Sequence, residues 1–424
     1  MKKTEYLKFG VICLLMTACS SNDPTAVSEE FVTPTEQTNT TDISKLSIIE
    51  LPLETRANVE IGNAFAFNLF NNILDAQKEF VNFSISPLSV FTTLSMLANG
   101  DNGEAKDEIL DVLGINADKE SLHRLNDYNR IMLSALPKAD HTTTCLLSNS
   151  IWHRPALLLK DSFIETLGTW YNTDTFEANL ATQAGCDKLN KWVASKTNNV
   201  ITNFLENPMS IDAAVLNATY FKGLWSEAFD KSKTFESMFD NGDGSSSKTN
   251  FMNNEILTYY SIADGAEYVE MNLGYGNFKM ICILPQSESD IRSFTGKTVY
   301  EKLSNSRKVA KVNISLPSFE ASFKQDILDV LQNMGISKAC TKGLDGIFSE
   351  GELALRIFLH ASTFKIDEEG AEGTAASMAG IEISASGTDT EIESVNLTFN
   401  HPFVYLIREE STNAIVFMGA VTKF

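Results

Sequence analysis

The chain contains side chains that a hydrolase could use, but their spacing is not that of a hydrolase. Ser86, Ser89 and His360 could together suggest a serine nucleophile activated by a histidine base. However, the sequence has no Gly-x-Ser-x-Gly elbow and no His-Glu-x-x-His zinc motif. Isolated serines and histidines of this kind are more often hydrogen-bonded polar groups of a protein core. We therefore predict that the protein is not an enzyme.

The remaining residues that could bind a metal or cofactor are scattered. The five histidines are His123, His141, His153, His360 and His401. Their spacing matches no metal site. The Gly-Tyr-Gly at 274–276 is too short to be a dinucleotide-binding loop and is typical of a hairpin turn. We expect neither a metal nor a cofactor.

Composition limits the class of protein and its partners. The chain has 424 residues, of which 43% are hydrophobic, which is enough for one large or two ordinary domains. Lys and Arg number 34 against 55 Asp and Glu, giving a net charge of −21. Such a charge argues against nucleic acids and heparin-like polyanions as partners.

The N-terminus predicts export. A basic start at Lys2 and Lys3 precedes a short apolar run, 9–16, which ends before Cys19. Small residues before a cysteine resemble a bacterial lipoprotein signal, in which residues 1–18 are removed and Cys19 carries the lipid. An ordinary signal peptide with a chance cysteine is the alternative. Residues 19–45 are rich in Ser, Thr, Asn, Glu and Pro and predict a flexible tether. We expect a lipid-anchored protein of the cell envelope, at the outer membrane or cell surface.

Four further cysteines follow the tether: Cys145, Cys186, Cys282 and Cys340. They are widely spaced and form no Cys-x-x-Cys pair. Export permits disulfides, but a chain of this length does not need them. The sequence is compatible with either buried free thiols or disulfides at these four positions.

The most unusual segment follows Lys365. Every second residue from Ala371 to Ala379 is small, and Ile381 and Ile383 continue this period of two, which is that of a β-strand. Yet the segment is rich in Gly and Ala, which disfavour an independent strand. We interpret it as a segment that is first exposed and later inserted into a sheet. A small-residue surface loop is the alternative interpretation.

The rest of the chain predicts the elements that would position this segment. Phe65, Leu69 and Ile73 share one helix face. Pro87 is well placed to open a helix, and residues 104–113 predict another that ends at a glycine. Short β-rich segments alternate with helices without a regular βαβ rhythm. The pattern indicates a mixed α/β chain with largely antiparallel sheets.

Specific motifs then occur in order. Residues 368–370 read Glu-Glu-Gly before an alanine-rich stretch, 401–403 read His-Pro-Phe, and 417–419 read Phe-Met-Gly. On these motifs, and on 215–225, the chain resembles the serpin family over residues 46–424. The resemblance implies a single α+β domain with three mostly antiparallel β-sheets, eight to nine α-helices and an exposed reactive-centre loop at about 368–395.

The resemblance also implies a function. Serpins act as suicide substrates: a protease cleaves the loop, is held as an acyl-enzyme, and the freed loop enters the main sheet. The implied hinge comprises Glu368, Glu369, Gly370, Ala371, Glu372, Gly373, Thr374, Ala375 and Ala376. Ala371 and Gly373 depart from the residues usual in the family, but neither is bulky or charged. Inhibition of a serine protease is therefore expected, and a serpin-fold binding or decoy protein that is cleaved without trapping is the alternative.

Family spacing counted from Gly370 places the scissile bond between Ser384 and Ala385, with a shift within 383–389 left open. These small residues suit elastase-like or subtilisin-like proteases, and papain-like cysteine proteases remain open. The resemblance assigns Ser86, Ser89, Asn217 and His360 to a buried shutter cluster behind the main sheet, and it places Trp225 at the breach where that sheet opens. The expected partner is the target protease, bound covalently by a monomer.

Overall fold

The computed structural model describes residues 47–101, 103–116, 118, 120–286, 291–341, 343–349, 354–368 and 392–424. Within these residues the chain forms eight α-helices and fourteen β-strands. The helices are α1 (Ala57–Ala76), α2 (Pro87–Ala98), α3 (Glu104–Leu113), α4 (Ser121–Ala135), α5 (Asp161–Thr166), α6 (Gln183–Lys196), α7 (Lys297–Asn305) and α8 (Leu328–Met334). None of the described helices is both long and apolar enough to cross a membrane.

The strands are β1 (Phe83–Ile85), β2 (Thr144–His153), β3 (Asp174–Glu177), β4 (Ala213–Lys222), β5 (Phe235–Asp240), β6 (Ser246–Ala263), β7 (Ala266–Leu273), β8 (Phe278–Pro285), β9 (Lys308–Pro317), β10 (Phe319–Asp326), β11 (Phe358–Ile366), β12 (Ser394–Thr398), β13 (Phe403–Glu409) and β14 (Ile415–Val421). They confirm the mixed α+β class. Most neighbouring strands are antiparallel, as expected.

The strands form two hydrogen-bonded sheets in the described part of the chain. The five-stranded sheet has the order β10-β11-β4-β2-β3. The nine-stranded sheet has the order β1-β14-β13-β8-β7-β6-β9-β12, with β5 paired to β6. Three sheets were expected from the family resemblance. The difference arises because β6 is 18 residues long and pairs with β9 along one part and with β7 along another, which joins two sheets into one.

Local sequence signals account for the helix boundaries. Pro87 occupies the first turn of α2, where its missing N–H costs nothing. Gly114 follows α3 with a φ of 77°, a left-handed conformation that favours glycine at a helix end. Every residue of α2 is buried. This helix therefore lies inside the protein, where its hydroxyl side chains must find partners.

The five-stranded sheet contains an arrangement that matters for function. β11 and β4 run parallel, with Phe358 opposite Val215 and Phe364 opposite Phe221. The outer neighbours of this pair are antiparallel, because β10 pairs with β11 and β2 pairs with β4 in that sense. Two strands of the same direction therefore meet at the centre of the sheet.

Two questions left by the sequence are answered by the fold. The residues 274–276 form the turn between antiparallel β7 and β8, with positive φ at Gly274 and Gly276. The later cysteines are free and buried: Cys145, Cys186, Cys282 and Cys340. Burial raises the pKa of the Cys282 thiol, which keeps it protonated and unreactive.

Candidate functional site

A buried histidine lies opposite a buried asparagine at the centre of the parallel β4–β11 pair. His360 and Asn217 are register partners, and both side chains are inaccessible to solvent. The backbone N–H of Ser86 points at His360 Nε2 from 3.2 Å, so this nitrogen must accept. The proton therefore sits on Nδ1, which donates to Asn217 Oδ1 at 2.8 Å. Burial lowers the pKa of His360 to about 3, so the ring stays neutral.

Asn217 connects this pair to the helix beneath the sheet. Its side-chain amide donates to Ser89 Oγ on α2 and, at 2.7 Å, to Asn149 Oδ1 on β2. Thr93 Oγ1, one helical turn after Ser89, also donates to Asn149 Oδ1 at 2.7 Å. We call Ser86, Ser89, Thr93, Asn149, Asn217 and His360 the polar cluster. It ties α2 to three strands of the five-stranded sheet.

The chemistry of the polar cluster is that of a separable contact rather than of catalysis. The hydroxyl of Ser86 donates to the backbone oxygen of Val416 at 2.9 Å. Its proton therefore does not point at His360, and the ring does not act as a base on this serine. No carboxylate is among the members of the cluster, and its atoms are buried away from any substrate. If β4 and β11 separated, the bond between His360 and Asn217 would break and both groups would need new partners.

A second pair of hydrogen bonds holds the end of β11. Trp225 Nε1 donates to the backbone oxygen of Asp367 at 2.8 Å, and its ring packs edge-on against Phe229. Thr234 Oγ1 donates to Glu368 Oε1 at 2.8 Å. These contacts tie down the last residues described before position 369, at the end of the parallel pair opposite to Phe358.

The structure thus brings together the four shutter residues predicted from the sequence and places Trp225 beside the end of β11. Their roles in opening the sheet remain predictions. Glu368 is the single hinge residue that is described. The following predictions concern residues outside the described part of the chain: the rest of the hinge (369–376), the scissile bond between Ser384 and Ala385, and lipidation at Cys19. Among the residues that are described, no group of His, Cys, Asp and Glu could hold a metal ion.

Sequence reasoning missed three residues of this site. Asn149 lies in the segment 147–152, where a lone asparagine among strand residues was an available signal. Thr93 follows Ser89 by four residues, which places both on one face of α2. Thr234 gave no local signal, because it lies just outside β5 and meets Glu368 only through the tertiary fold.

Comparison with known proteins identifies the fold. The sequence model of the family described as "Serpin (serine protease inhibitor)" matches residues 60–424. The chain belongs to the serpin family. This membership supports a protease as partner and protease inhibition as the general function, in place of catalysis.

Named serpins are similar along most of the chain. Serpin-ZX of Arabidopsis thaliana is 27% identical over 392 residues, which cover 87% of this chain and 99% of the relative. Iripin-5 of Ixodes ricinus is 26% identical over 374 residues, covering 85% and 93%. The structure of Arabidopsis AtSerpin1 in its native stressed conformation superposes with a TM-score of 0.77 at 26% identity, covering 88% of this chain and 99% of that one.

Proposed function

We propose that this serpin irreversibly inhibits elastase-like or subtilisin-like serine proteases, which it traps after they cleave the bond between Ser384 and Ala385. Papain-like cysteine proteases are a second target class. The observation that carries this proposal is the direct parallel pairing of β4 with β11 between antiparallel neighbours.

This pairing defines what a further strand would do. A chain that leaves the end of β11, turns and runs back between β11 and β4 would be antiparallel to both. It would convert the centre of the sheet from one parallel ladder into two antiparallel ladders, which are slightly more stable per residue. The segment after Glu368 is the one that is connected to do this.

The energy available is large enough for the task. Each hydrogen bond of a new ladder contributes about 0.5 to 1.5 kcal/mol net, so a full inserted strand contributes on the order of 10 kcal/mol before apolar burial. A protease that remains covalently attached to the strand would be carried with it. That free energy is comparable to the total stability of a single native domain, about 5 to 15 kcal/mol. It is therefore large enough to distort part of the attached protease.

The hinge sequence supports insertion. Small residues recur at every second position from Ala371 to Ala379, so one face of the segment could enter the sheet without steric conflict. The charge at Glu372 belongs to the other face. Gly373 adds conformational freedom that insertion must remove, which slows the step but does not block it.

The location and partners form part of the proposal. Cys19 would carry a lipid, and 19–45 would hold the inhibitor off the bacterial envelope membrane, where it would meet proteases as a monomer. Heparin is not expected to assist, because the net charge of the chain is −21.

The test is to mix the full chain with pancreatic elastase and with subtilisin, and to follow the products on denaturing gels and by intact mass. We expect an adduct that survives boiling in detergent and a released peptide that begins at Ala385. Ala375→Arg, on the face that would enter the sheet, should abolish the adduct while cleavage continues. Thr374→Arg, the same change on the other face, is the matched control and should retain it.

A decoy function is the second candidate, because Gly373 and Ala371 replace the usual hinge residues. A slow hinge would allow the protease to complete hydrolysis and leave before it is trapped. Complete cleavage by both proteases, with full protease activity recovered, would favour this candidate and would overturn trapping of these two enzymes.

A further inference from the structure

A pocket of about 150 Å³ lies at the end of the five-stranded sheet opposite to Trp225. It is formed where β4 begins, at Ala213 to Val215, and the pairing of β4 with β11 starts at the last of these residues. The lining also includes Leu97 of α2 and Ile151 of β2, and, from later in the chain, Leu344, Phe348 and Leu355. The two charged residues at this mostly apolar lining are Asp212 and Arg356.

The size and lining of the pocket fit one small apolar group. An apolar cavity of about 150 Å³ stays dry and accommodates a molecule such as benzene. Small ligand sites typically combine such a lining with a few polar groups that fix the orientation of the ligand. The pocket therefore matches a ring or a short branched chain, together with one polar head.

The two charged residues differ in their pairing. Asp212 Oδ1 is bound by Arg154 Nε at 2.6 Å, so its charge is matched. Arg356 Nη1 donates at 3.4 Å to the backbone oxygen of Cys340, and within the described residues no carboxylate forms an ion pair with it. A guanidinium in this position can bind a carboxylate through two parallel hydrogen bonds. The polar head that suits the pocket is therefore an anion.

We propose that this pocket binds a small aromatic or branched aliphatic carboxylate, with its apolar group between β4 and Phe348 and its carboxylate at Arg356. No part of the polar cluster or of the contacts around Trp225 is needed for this binding. None of the residues lining the pocket belongs to the hinge or to the scissile bond.

Binding here would regulate trapping, a consequence that rests on the proposed function. Residues 371–384, which follow Gly370 and end at Ser384, number 14 (384 − 370), whereas β11 has nine residues. A strand that began opposite Ile366 and passed one residue of β11 for each of its own would extend beyond Phe358 and past the level of Leu355 and Arg356. A ligand in the pocket would therefore compete with the last part of insertion and turn the inhibitor into a substrate.

The binding test uses the full chain with phenylacetate, its neutral analogue 2-phenylethanol, and acetate as the head group alone. We expect saturable binding of phenylacetate by titration calorimetry, and intermolecular NOEs from its ring to the methyl groups of Ile151 or Ile347. Acetate should bind too weakly to measure. Absence of saturable binding by phenylacetate, or NOEs to other methyl groups only, would overturn the proposal.

Variants separate the two parts of the pocket. Arg356→Gln should weaken phenylacetate binding by about threefold or more and leave 2-phenylethanol binding unchanged, since only the ion pair with the exposed guanidinium is lost. Arg130→Gln, which removes the same charge from distant α4, is the matched control. Ala213→Leu should fill the cavity and weaken both ligands, and its melting temperature reports whether it is folded. Equal loss of phenylacetate affinity in Arg356→Gln and Arg130→Gln would refute the role of Arg356.

The regulatory consequence has its own readout. Saturating phenylacetate should increase the moles of serpin needed to inactivate one mole of protease, and Ala213→Leu should not respond to it. An unchanged stoichiometry with bound ligand would overturn the competition. If no protease is trapped even without ligand, the proposed function fails, whereas the calorimetry still decides whether the pocket binds carboxylates.

Discussion

His360 Nδ1 lies 2.8 Å from Asn217 Oδ1, and this hydrogen bond crosses the parallel β4–β11 pair at the place where a new strand would have to enter. The bond is enclosed by the protein, and each partner has a further hydrogen bond: His360 with Ser86, which directly precedes α2, and Asn217 with Ser89 of α2. If the sheet opened here, His360 and Asn217 would each need a new hydrogen-bond partner, because a buried polar group left without one is costly.

The neutral state of His360 should make stability depend on pH. Its pKa is about 3 in the folded protein, against about 6.5 in an unfolded chain. Between these values the unfolded state binds a proton that the native state does not. The stabilisation is therefore fully present above pH 6.5 and is lost as the pH falls towards 3. Between pH 7 and pH 5 the loss should be about 2 kcal/mol, measured as the free energy of unfolding in urea.

The control for this prediction is a second histidine. His360→Gln should show a pH dependence of unfolding that is weaker by that amount, whatever its stability at pH 7. His123→Gln removes an exposed histidine instead. If the free energy of unfolding changes equally with pH in the two variants between pH 7 and pH 5, His360 is not the group responsible.

Asn217→Ala should strongly destabilise the native state. The substitution removes the acceptor of His360 Nδ1–H and the donor to Ser89 and Asn149, all in the buried core. Each buried polar group left without a partner costs about 1 to 3 kcal/mol, so we expect a total loss of about 3 kcal/mol in guanidinium unfolding. A loss of stability below about 1 kcal/mol, as small as that of an ordinary surface substitution, would contradict this expectation. It would mean that the remaining groups of the polar cluster find other hydrogen-bond partners. Asn203→Ala, at an exposed asparagine, is the matched control.

Trp225→Phe should loosen the end of β11 while keeping an aromatic ring against Phe229. The variant loses the hydrogen bond from the indole to the backbone oxygen of Asp367. We expect a loss of about 1 kcal/mol in stability and faster hydrogen exchange of the amides at 364–367. Trp170→Phe, a half-buried tryptophan that packs on His123, should leave these amides unchanged. Unaltered exchange in Trp225→Phe would contradict the role of this bond.

Glu270 is the centre of a buried charge network in the nine-stranded sheet. Its carboxylate lies 3.2 Å from Lys279 Nζ, 3.3 Å from Arg307 Nε and 3.6 Å from Arg408 Nη2, and it accepts the hydroxyl of Tyr268 at 2.5 Å. Burial alone would raise the pKa of Glu270, but Arg408 and then Lys279 outweigh it and lower the pKa below its usual value. The network is therefore ionised at neutral pH.

Glu270→Gln should cost about 3 kcal/mol at pH 7, because it leaves the buried Arg408 short of counter-charge. Since the folded pKa of Glu270 is lowered, this contribution is present above the usual carboxyl pKa and is lost as the pH falls through the folded value. Glu236→Gln removes an exposed ion pair with Lys248 and should cost less than about 1 kcal/mol. Similar losses for the two variants in urea unfolding would refute the special role of Glu270.

The sequence alone was sufficient where the signal is local. Pro87 and Gly114 determine where α2 begins and α3 ends, because a missing N–H and a left-handed φ have few other solutions. The helix predicted from Phe65, Leu69 and Ile73 is part of α1, since these apolar residues repeat with the helical period and are buried. The specific motifs at both ends of the loop, and around 215–225, were sufficient to indicate the serpin family.

Only the tertiary structure decided which distant residues meet. Ser86 and His360 are 274 positions apart, and their contact follows from the packing of α2 on the sheet. Contacts between segments distant in sequence also create three other features. These are the hydrogen bond between Thr234 and Glu368, the continuous β6 that joins two sheet regions, and the pocket at Arg356. A local pattern specifies the conformation and the buried face of one element. Which elements become neighbours depends on how all buried faces are satisfied together, and no single stretch of sequence contains that information.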